Sequence, residues 1–363
     1  MVGGGQLARM TQQAAVDLDV ELVVLAESKD EPAIQAGATC LLGAPSDRDA
    51  LRRLADVVDV VTFDHEHVPA ELAIELAESG VAVRPSGAAL RHAQDKLVAR
   101  QAFAAAGLPV PAFAPVDSAG IGEFAAEHGW PVVVKARRGG YDGRGVTVVH
   151  DASGEMPGGE LLVEEHVDIA QELAVVGVRS PSGEWAAYPL VATVQVDGIC
   201  TELAMPAAVD DALARQAESI ARSVAELIDA VGIVAVELFL TTAGELVVNE
   251  IALRPHNSGH ATIEGAVTSQ FHNHLRAVLD WPLGDTGLRA PAAAMVNLLG
   301  PADGSDPRAR LGEALAVANA AIHLYGKEAK PGRKLGHVTA LGASVDAALG
   351  DARRCAAVLN RSD

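Results

Sequence analysis

"VELFLTTAGELVVNE", residues 236–250, reads as two apolar strands around a short turn, with a glutamate kept toward each outer end. A two-residue turn at Ala243-Gly244 pairs Thr242 with Glu245 and sets Glu237 directly opposite Glu250 on one face. Cβ atoms across such a pair lie about 5 Å apart. Facing carboxylates repel, so an otherwise apolar hairpin is expected to keep them for a cation. Magnesium suits oxygen ligands of this kind and usually arrives with phosphates. A one-residue slip would break the pairing, and two solvated acids would remain.

Upstream lies "KARRGGYDGRGVTVV", residues 135–149. Gly139, Gly140, Gly143 and Gly145 free backbone amides to point at a ligand, while Arg137, Arg138 and Arg144 add charge; phosphate cradling needs both. Lys135 closes the preceding strand within reach of the same ligand. The pattern G-x-x-x-x-G-K-[ST] occurs nowhere in the chain, so this is not a Walker A loop. Downstream is "LRPHNSGH", residues 253–260. His256 and His260 have H-x-x-x-H spacing, but Pro255 and Gly259 oppose the helix that zinc binding would need. Arg254, His256 and Asn257 read better as anion and hydrogen-bond contacts. "YGKEAKPGRKLGH", residues 325–337, gathers Lys327, Lys330, Arg333 and Lys334 and reads as a phosphate clamp or a solvated turn.

Those basic clusters run against the rest of the chain. Its 363 residues carry 28 Lys and Arg against 48 Asp and Glu, a formal charge of −20. So acidic a body is a poor platform for nucleic acid, where affinity comes from neutralised phosphates. Apolar residues make up 49% and aromatics 3%, which implies a core of Ala, Val and Leu. Cys40, Cys200 and Cys355 suggest neither a disulfide framework nor a zinc site. With no signal peptide and no run of 18 apolar residues, the expectation is a cytoplasmic protein without a membrane partner.

Helical and strand patterns alternate through residues 1–85, as in a parallel α/β unit. "GGGQLA", residues 3–8, sits at the first strand-to-helix turn and matches the dinucleotide pattern G-x-G-x-x-[GA], with Glu27 as a ribose-binding acid. That reading gives a nicotinamide-dependent dehydrogenase; the alternative is a tight glycine turn. Only Met1 and Val2 remain of a first strand, so the natural chain is expected to begin several residues earlier. One helical stretch, residues 86–107, leads to the Pro-rich "GLPVPAFAPV" and a strand-rich remainder. In the helix at 210–230, Leu213, Ile220, Val224 and Leu227 are expected on one face.

Taken together, "GGGQLARM", "VTFDHEHV", "GGYDGRG", "VEEHV", "RPHNSGH" and "KPGRKLGH" resemble the ATP-grasp superfamily, and within it the N5-carboxyaminoimidazole ribonucleotide synthase family of purine biosynthesis. The resemblance covers nearly the whole chain. It implies a Rossmann-like pre-ATP-grasp domain at 1–85, an ATP-grasp domain at 86–290 with a glycine-rich lid at about 112–167, and a small β-rich domain at 291–363. The implied substrates are ATP, bicarbonate and 5-aminoimidazole ribonucleotide, with Mg2+ as cofactor.

By resemblance, Lys96, Lys135, Gly140, Tyr141, Asp142, Gly143, Arg144 and Gly145 contact ATP. Glu164, Glu165, His166 and Val167 form the adenine linker, and Glu172 meets the ribose. Glu237 and Glu250 are the metal ligands, with Asn249 in the same motif. Gln6, Leu7, Glu66 and Asn257 join Tyr141, Arg144, Arg254 and His256 around the imidazole nucleotide, the last four as catalytic residues. Lys327, Arg333 and Lys334 hold its phosphate. A polar residue is expected near Ala192, where alanine makes no contact. A homodimer is implied by resemblance alone. A formate-dependent glycinamide ribonucleotide transformylase is the competing ligase.

Overall fold

Side-chain caps mark where the helices begin. Asp47, Ser86, Asp95, Asp210, Ser269 and Ser344 each accept from amides of their own first turn, satisfying donors that have no intrahelical partner. The computed structural model describes residues 1–117, 120–140, 145–154 and 158–361. Asp95 changes one expectation. The stretch 86–107 is two helices, Gly87–Gln94 and Lys96–Ala105, because Asp95 is extended between them and caps the second. Lys96 is thereby placed at a helix start.

In the N-terminal part, the parallel pairs Val23–Ala26 with Thr39–Leu42 and Val60–Val61 with Ala82–Val83 are joined through a single residue. Val2 bridges Leu25 on one side and Phe63 on the other, so the expected central strand is present as one position. A second layer is a four-stranded antiparallel sheet in the order Phe113–Val116, Leu161–Glu165, Val132–Ala136, Val146–Val149. Helix Ile121–His128 packs Ile121 and Phe124 against its Val132, Val134 and Val163.

The third layer is a nine-stranded sheet. Its path runs Leu246–Ala252, Gly232–Thr241, Ile169–Arg179, Val191–Val196, Ile199–Met205, Ala292–Leu299, Lys334–Gly342 and Ala320–Leu324. Trp185–Ala187 pairs off this path with Ile169–Arg179. The C-terminal strands therefore extend the sheet that carries the 236–250 hairpin. Helix Asp211–Leu227 covers one face, burying Ala217, Ile220, Ala221 and Val224 against Leu173, Val175, Val234 and Val236. Leu227, expected on that packed face, is 44% exposed; the alanines take its place. The opposite face buries Ala174, Val176, Leu203 and Ile233 beneath Ala261 and Ala277. Among the described residues no helix is long and apolar enough to cross a membrane.

Candidate active site

The hairpin does not turn as its sequence suggests, yet its glutamates meet. Leu240 pairs with Leu246, and the Thr241 amide donates to the Glu245 carbonyl at 2.8 Å, leaving a three-residue loop, Thr242-Ala243-Gly244. Gly244 takes φ +84°, the left-handed position that closes such a loop. Ala243-Gly244 suits neither two-residue turn, since one needs positive φ at both residues and the other glycine first. This shifts the register by one. A bulge at Asn249 shifts it back: Leu238 pairs with Val248, but Glu237 pairs with Glu250. Without that bulge Glu250 would point to the opposite face.

The pair sits beside a lysine, a histidine and a third acid. Lys96 Nζ lies 3.5 Å from Glu250 Oε2, and His256 Nε2 lies 3.5 Å from Glu237 Oε1. Glu172 is opposite Phe239, on the same face as Glu237. Burial, reinforced by Glu250, pushes the Glu172 carboxyl above its ordinary range. Thr193 pairs with Glu172, while Ala192 faces the core under the long helix and makes no polar contact. Among the described residues no group of three or more His, Cys, Asp or Glu side chains forms a complete cation site. Two facing carboxylates, 21% and 46% exposed, fit Mg2+, an ion that completes its shell with phosphate and water.

Behind this pair lies a closed, buried ring. Arg100 Nε donates to Glu164 Oε1 at 2.7 Å, and its Nη2 to the Asn249 carbonyl at 2.6 Å. Lys135 Nζ is 2.7 Å from Glu164 Oε2 and donates to Asn249 Oδ1 at 3.2 Å. Burial would raise the Glu164 carboxyl, but Lys135 and Arg100 outweigh it and hold the group below its ordinary range. Burial, with Arg100, pushes Lys135 down against the opposing pull of Glu164. The Glu164 side chain is thus committed to positioning Lys135. Glu165 accepts from the Ala112 amide at 2.8 Å, and His166 and Val167 follow the strand end.

The arginines of the glycine-rich loop divide. Arg137 and Arg138 are both held by buried Asp95, at 2.7 and 3.1 Å, and so anchor the loop's entrance instead of offering their charge to a ligand. Gly139 and Gly145 adopt φ of +77° and +74°. Gly140 follows Gly139, and Tyr141, Asp142, Gly143 and Arg144 lie outside the described residues.

Beyond the hairpin, Arg254 Nε donates to Glu66 Oε2 at 2.8 Å. Burial would weaken the guanidinium's charge, but Glu66 more than offsets it. His256 Nδ1 bonds Ser258 Oγ at 2.8 Å; burial, Arg254 and Lys334 lower its pKa to about 3, so the ring is neutral. The Asn257 amide is buried against the Cys200 thiol, a weak hydrogen-bond partner that burial pushes up to about 12. Such an amide is a ready reader for a ligand. His260 lies deeper, its pKa pushed well down by burial, and its Nδ1 bonds the Gln270 amide nitrogen at 3.1 Å.

At the first helix the dinucleotide reading fails. Asp64 accepts from the Gly5 and Ala8 amides at 2.6 and 2.9 Å, and Glu31 from Gly4 at 2.9 Å. Two carboxylates occupy the place a pyrophosphate would take. Glu27 contributes its amide to Glu31. Gln6 instead contacts Lys327 across the molecule. Leu7 is in the core, 7% exposed. Lys334 lies close enough to His256 and Cys200 to act on both. Arg333 is on an exposed turn, bonded to the Glu328 carbonyl at 3.3 Å.

This geometry coincides with three family matches in succession. The "Ribonucleotide synthetase preATP-grasp domain" matches residues 1–94, the "ATP-grasp domain" residues 101–271 and the "Phosphoribosylaminoimidazole carboxylase C-terminal domain" residues 293–350. The N5-carboxyaminoimidazole ribonucleotide synthase of Mycobacterium tuberculosis is 51% identical over 360 residues, 95% of this chain and 83% of its own length. The chain belongs to the N5-carboxyaminoimidazole ribonucleotide synthase family. The family's enzyme from Corynebacterium ammoniagenes is 44% identical over 98% of this chain and 90% of its own. The Thermotoga maritima synthetase superposes with a TM-score of 0.89 at 37% identity, covering 98% of both chains. An Aspergillus clavatus synthase in complex with ADP and 5-aminoimidazole ribonucleotide gives a TM-score of 0.89 at 34%, covering 99% of this chain and 98% of that one. The fold is ATP-grasp with its flanking domains, and the chain is an ATP-grasp ligase that forms a C–N bond.

Sequence reasoning missed Arg100, Asp95 and Asp64. Arg100 carried a faint signal, since an arginine on the apolar side of a helix requires a buried acid. The two aspartates read as ordinary caps or loop acids.

Proposed function

We propose that this synthase carries out its ATP-dependent carboxylation of 5-aminoimidazole ribonucleotide with bicarbonate and Mg2+, on the residues gathered around the 236–250 hairpin. The observation that carries the reading is the bulged register, which sets Glu237 against Glu250 beside Lys96 and Lys135. Glu237 and Glu250 would hold the metal, whose chemistry there is to offset charge on the ATP phosphates. Lys96 and Lys135 add fixed positive charge to the phosphates, Lys135 locked by Glu164 and Asn249. Glu165, His166 and Val167 offer linker backbone to adenine, and Glu172 its carboxyl to the ribose.

Bicarbonate oxygen attacks the γ-phosphoryl group, giving carboxyphosphate and ADP. Carboxyphosphate hydrolyses readily, so the loop at 139–145 is assigned to closing over it. The nucleotide amine then forms the N–C bond to the carboxyl carbon, either of carboxyphosphate or of carbon dioxide released from it, with loss of phosphate and of the amine's proton. Arg254, kept charged by Glu66, stabilises negative charge on the transferred group. His256, neutral, donates or accepts one hydrogen bond without competing as a cation. Tyr141 and Arg144 are assigned to the same step by the sequence resemblance alone. Asn257 and Gln6 read the nucleotide, Leu7 supports Gln6 from the core, and Lys327, Arg333 and Lys334 take its phosphate.

The same proposal divides the chain at 1–85, 86–290 and 291–363, supported by the order of the three family matches. It places the enzyme in the cytoplasm as a homodimer, in line with the sequence resemblance. Phosphate release from Mg-ATP and bicarbonate, with and without 5-aminoimidazole ribonucleotide, tests the chemistry. Strong stimulation by the nucleotide is expected. Stimulation by formate with glycinamide ribonucleotide instead would overturn it.

A further inference from the structure

The bulge at Asn249 decides which face Glu250 occupies, so whatever holds the bulge holds the carboxylate pair. Two contacts do. Arg100, 3% exposed, draws the Asn249 carbonyl to its Nη2 at 2.6 Å, and Lys135 takes the Asn249 side chain at 3.2 Å. A bulged residue has left the ladder, and its buried carbonyl needs a donor from elsewhere. Arg100 supplies that donor from a different element, the helix Lys96–Ala105. The same guanidinium braces Glu164, which in turn fixes Lys135. Nothing in this arrangement lets Arg100 reach a ligand, since its side chain is spent on Glu164 and Asn249.

We infer that Arg100 is a positioning residue for the cation site: by anchoring the bulged Asn249 carbonyl it keeps Glu250 on the face of Glu237. This rests on the assignment of Glu237 and Glu250 as metal ligands. It makes a distinction that a purely structural role does not. Loss of the Asn249 contact should weaken the metal more than the nucleotide, because Lys135 keeps Glu164 whereas Glu250 loses its register.

The test uses Mn2+ as a spectroscopic probe, titrated by electron paramagnetic resonance into the full chain with saturating ADP. ADP affinity is measured separately in EDTA by calorimetry. Arg100→Lys keeps a charge beside Glu164 but lacks the second arm that reaches Asn249. Mn2+ affinity is expected to fall about tenfold or more, with metal-free ADP affinity changed less than about threefold, the loss of roughly one charge-assisted hydrogen bond. Unchanged Mn2+ affinity, or equal losses of metal and nucleotide, overturns the role of Arg100. Glu250→Gln run alongside separates the two readings. If it also binds Mn2+ as the wild type does, the metal assignment falls and the role of Arg100 with it. If it loses Mn2+ while Arg100→Lys does not, only the latter falls. Should Arg100→Lys fail to fold, Arg100→Gln leaves Glu164 paired with Lys135 and removes only the arm that reaches Asn249. Loss of Mn2+ affinity in that variant, with metal-free ADP affinity kept, supports the inference, and retention of Mn2+ affinity overturns it.

Discussion

Two groups of glutamates lie side by side in this enzyme and behave in opposite ways. Glu164 is buried and enclosed, with Arg100 and Lys135 each 2.7 Å away, so one negative charge meets two positive ones. Glu237 and Glu250 are 21% and 46% exposed, and Lys96 and a neutral imidazole approach them only to 3.5 Å. The first is enclosed by short contacts and works as scaffold. The second group is more exposed and more loosely held, and therefore accessible to a cation that arrives with its substrate. Proximity of acids alone does not mark a metal site; exposure to an incoming ion does.

Glu164→Ala should have the largest effect. It leaves Arg100 and Lys135 buried without their acid, at a cost of about 3–5 kcal/mol in denaturant unfolding. A loss under about 1 kcal/mol would mean the ring is not a closed unit. Glu250→Gln should do the reverse, keeping stability while lowering turnover on the order of 10²–10³-fold, about 3–4 kcal/mol of transition-state stabilisation. Full activity in that variant would erase the contrast between the groups. Arg333→Ala, on the exposed turn, should raise KM for 5-aminoimidazole ribonucleotide about tenfold and KM for ATP far less, as expected for one lost charged contact. Equal rises would place Arg333 away from the nucleotide phosphate.

The smallest effect sharpens the point about closed sites. His274 is buried, accepting from the Ile233 amide at 3.2 Å through Nδ1 and bonding Thr62 Oγ1 at 2.9 Å through Nε2. Burial, with the chain's amino terminus nearby, lowers its pKa from 6.5 to about 3. The folded state then binds fewer protons than the unfolded chain between those values. Its contribution is complete above pH 6.5 and is lost as the pH falls toward 3. From pH 7 to 6 this amounts to about 0.7 kcal/mol for one histidine. His274→Gln should flatten the pH dependence of unfolding by that amount; an unchanged slope would show that the ring protonates in place.

The glycine-rich turn at 3–5 and the hairpin at 236–250 show how far local reading reaches. Both carried a ligand pattern. At the turn, the ligand position is filled by Asp64, an acid some sixty residues away whose role no local pattern announces. At the hairpin, the facing glutamates were inferred from a turn of the wrong length and are restored by a bulge that the sequence does not mark. The pairing was right because two one-residue shifts cancel.

What the residues determined alone is what periodicity and local chemistry control. That includes the alternating α/β start, the apolar hairpin, the run of motifs that marks the family, and the residue types a phosphate and a divalent cation need. Tertiary structure decided which charges remain available. Asp95 removes Arg137 and Arg138, Glu164 takes the inner side of Lys135, burial with Arg254 and Lys334 keeps His256 neutral, and Asn257 is buried against the Cys200 thiol. The reason is physical. Periods of two and 3.6 residues set faces within a segment, whereas charge is balanced between groups within a few ångströms in space, here from residues as far apart in sequence as Glu66 and Arg254, 188 positions.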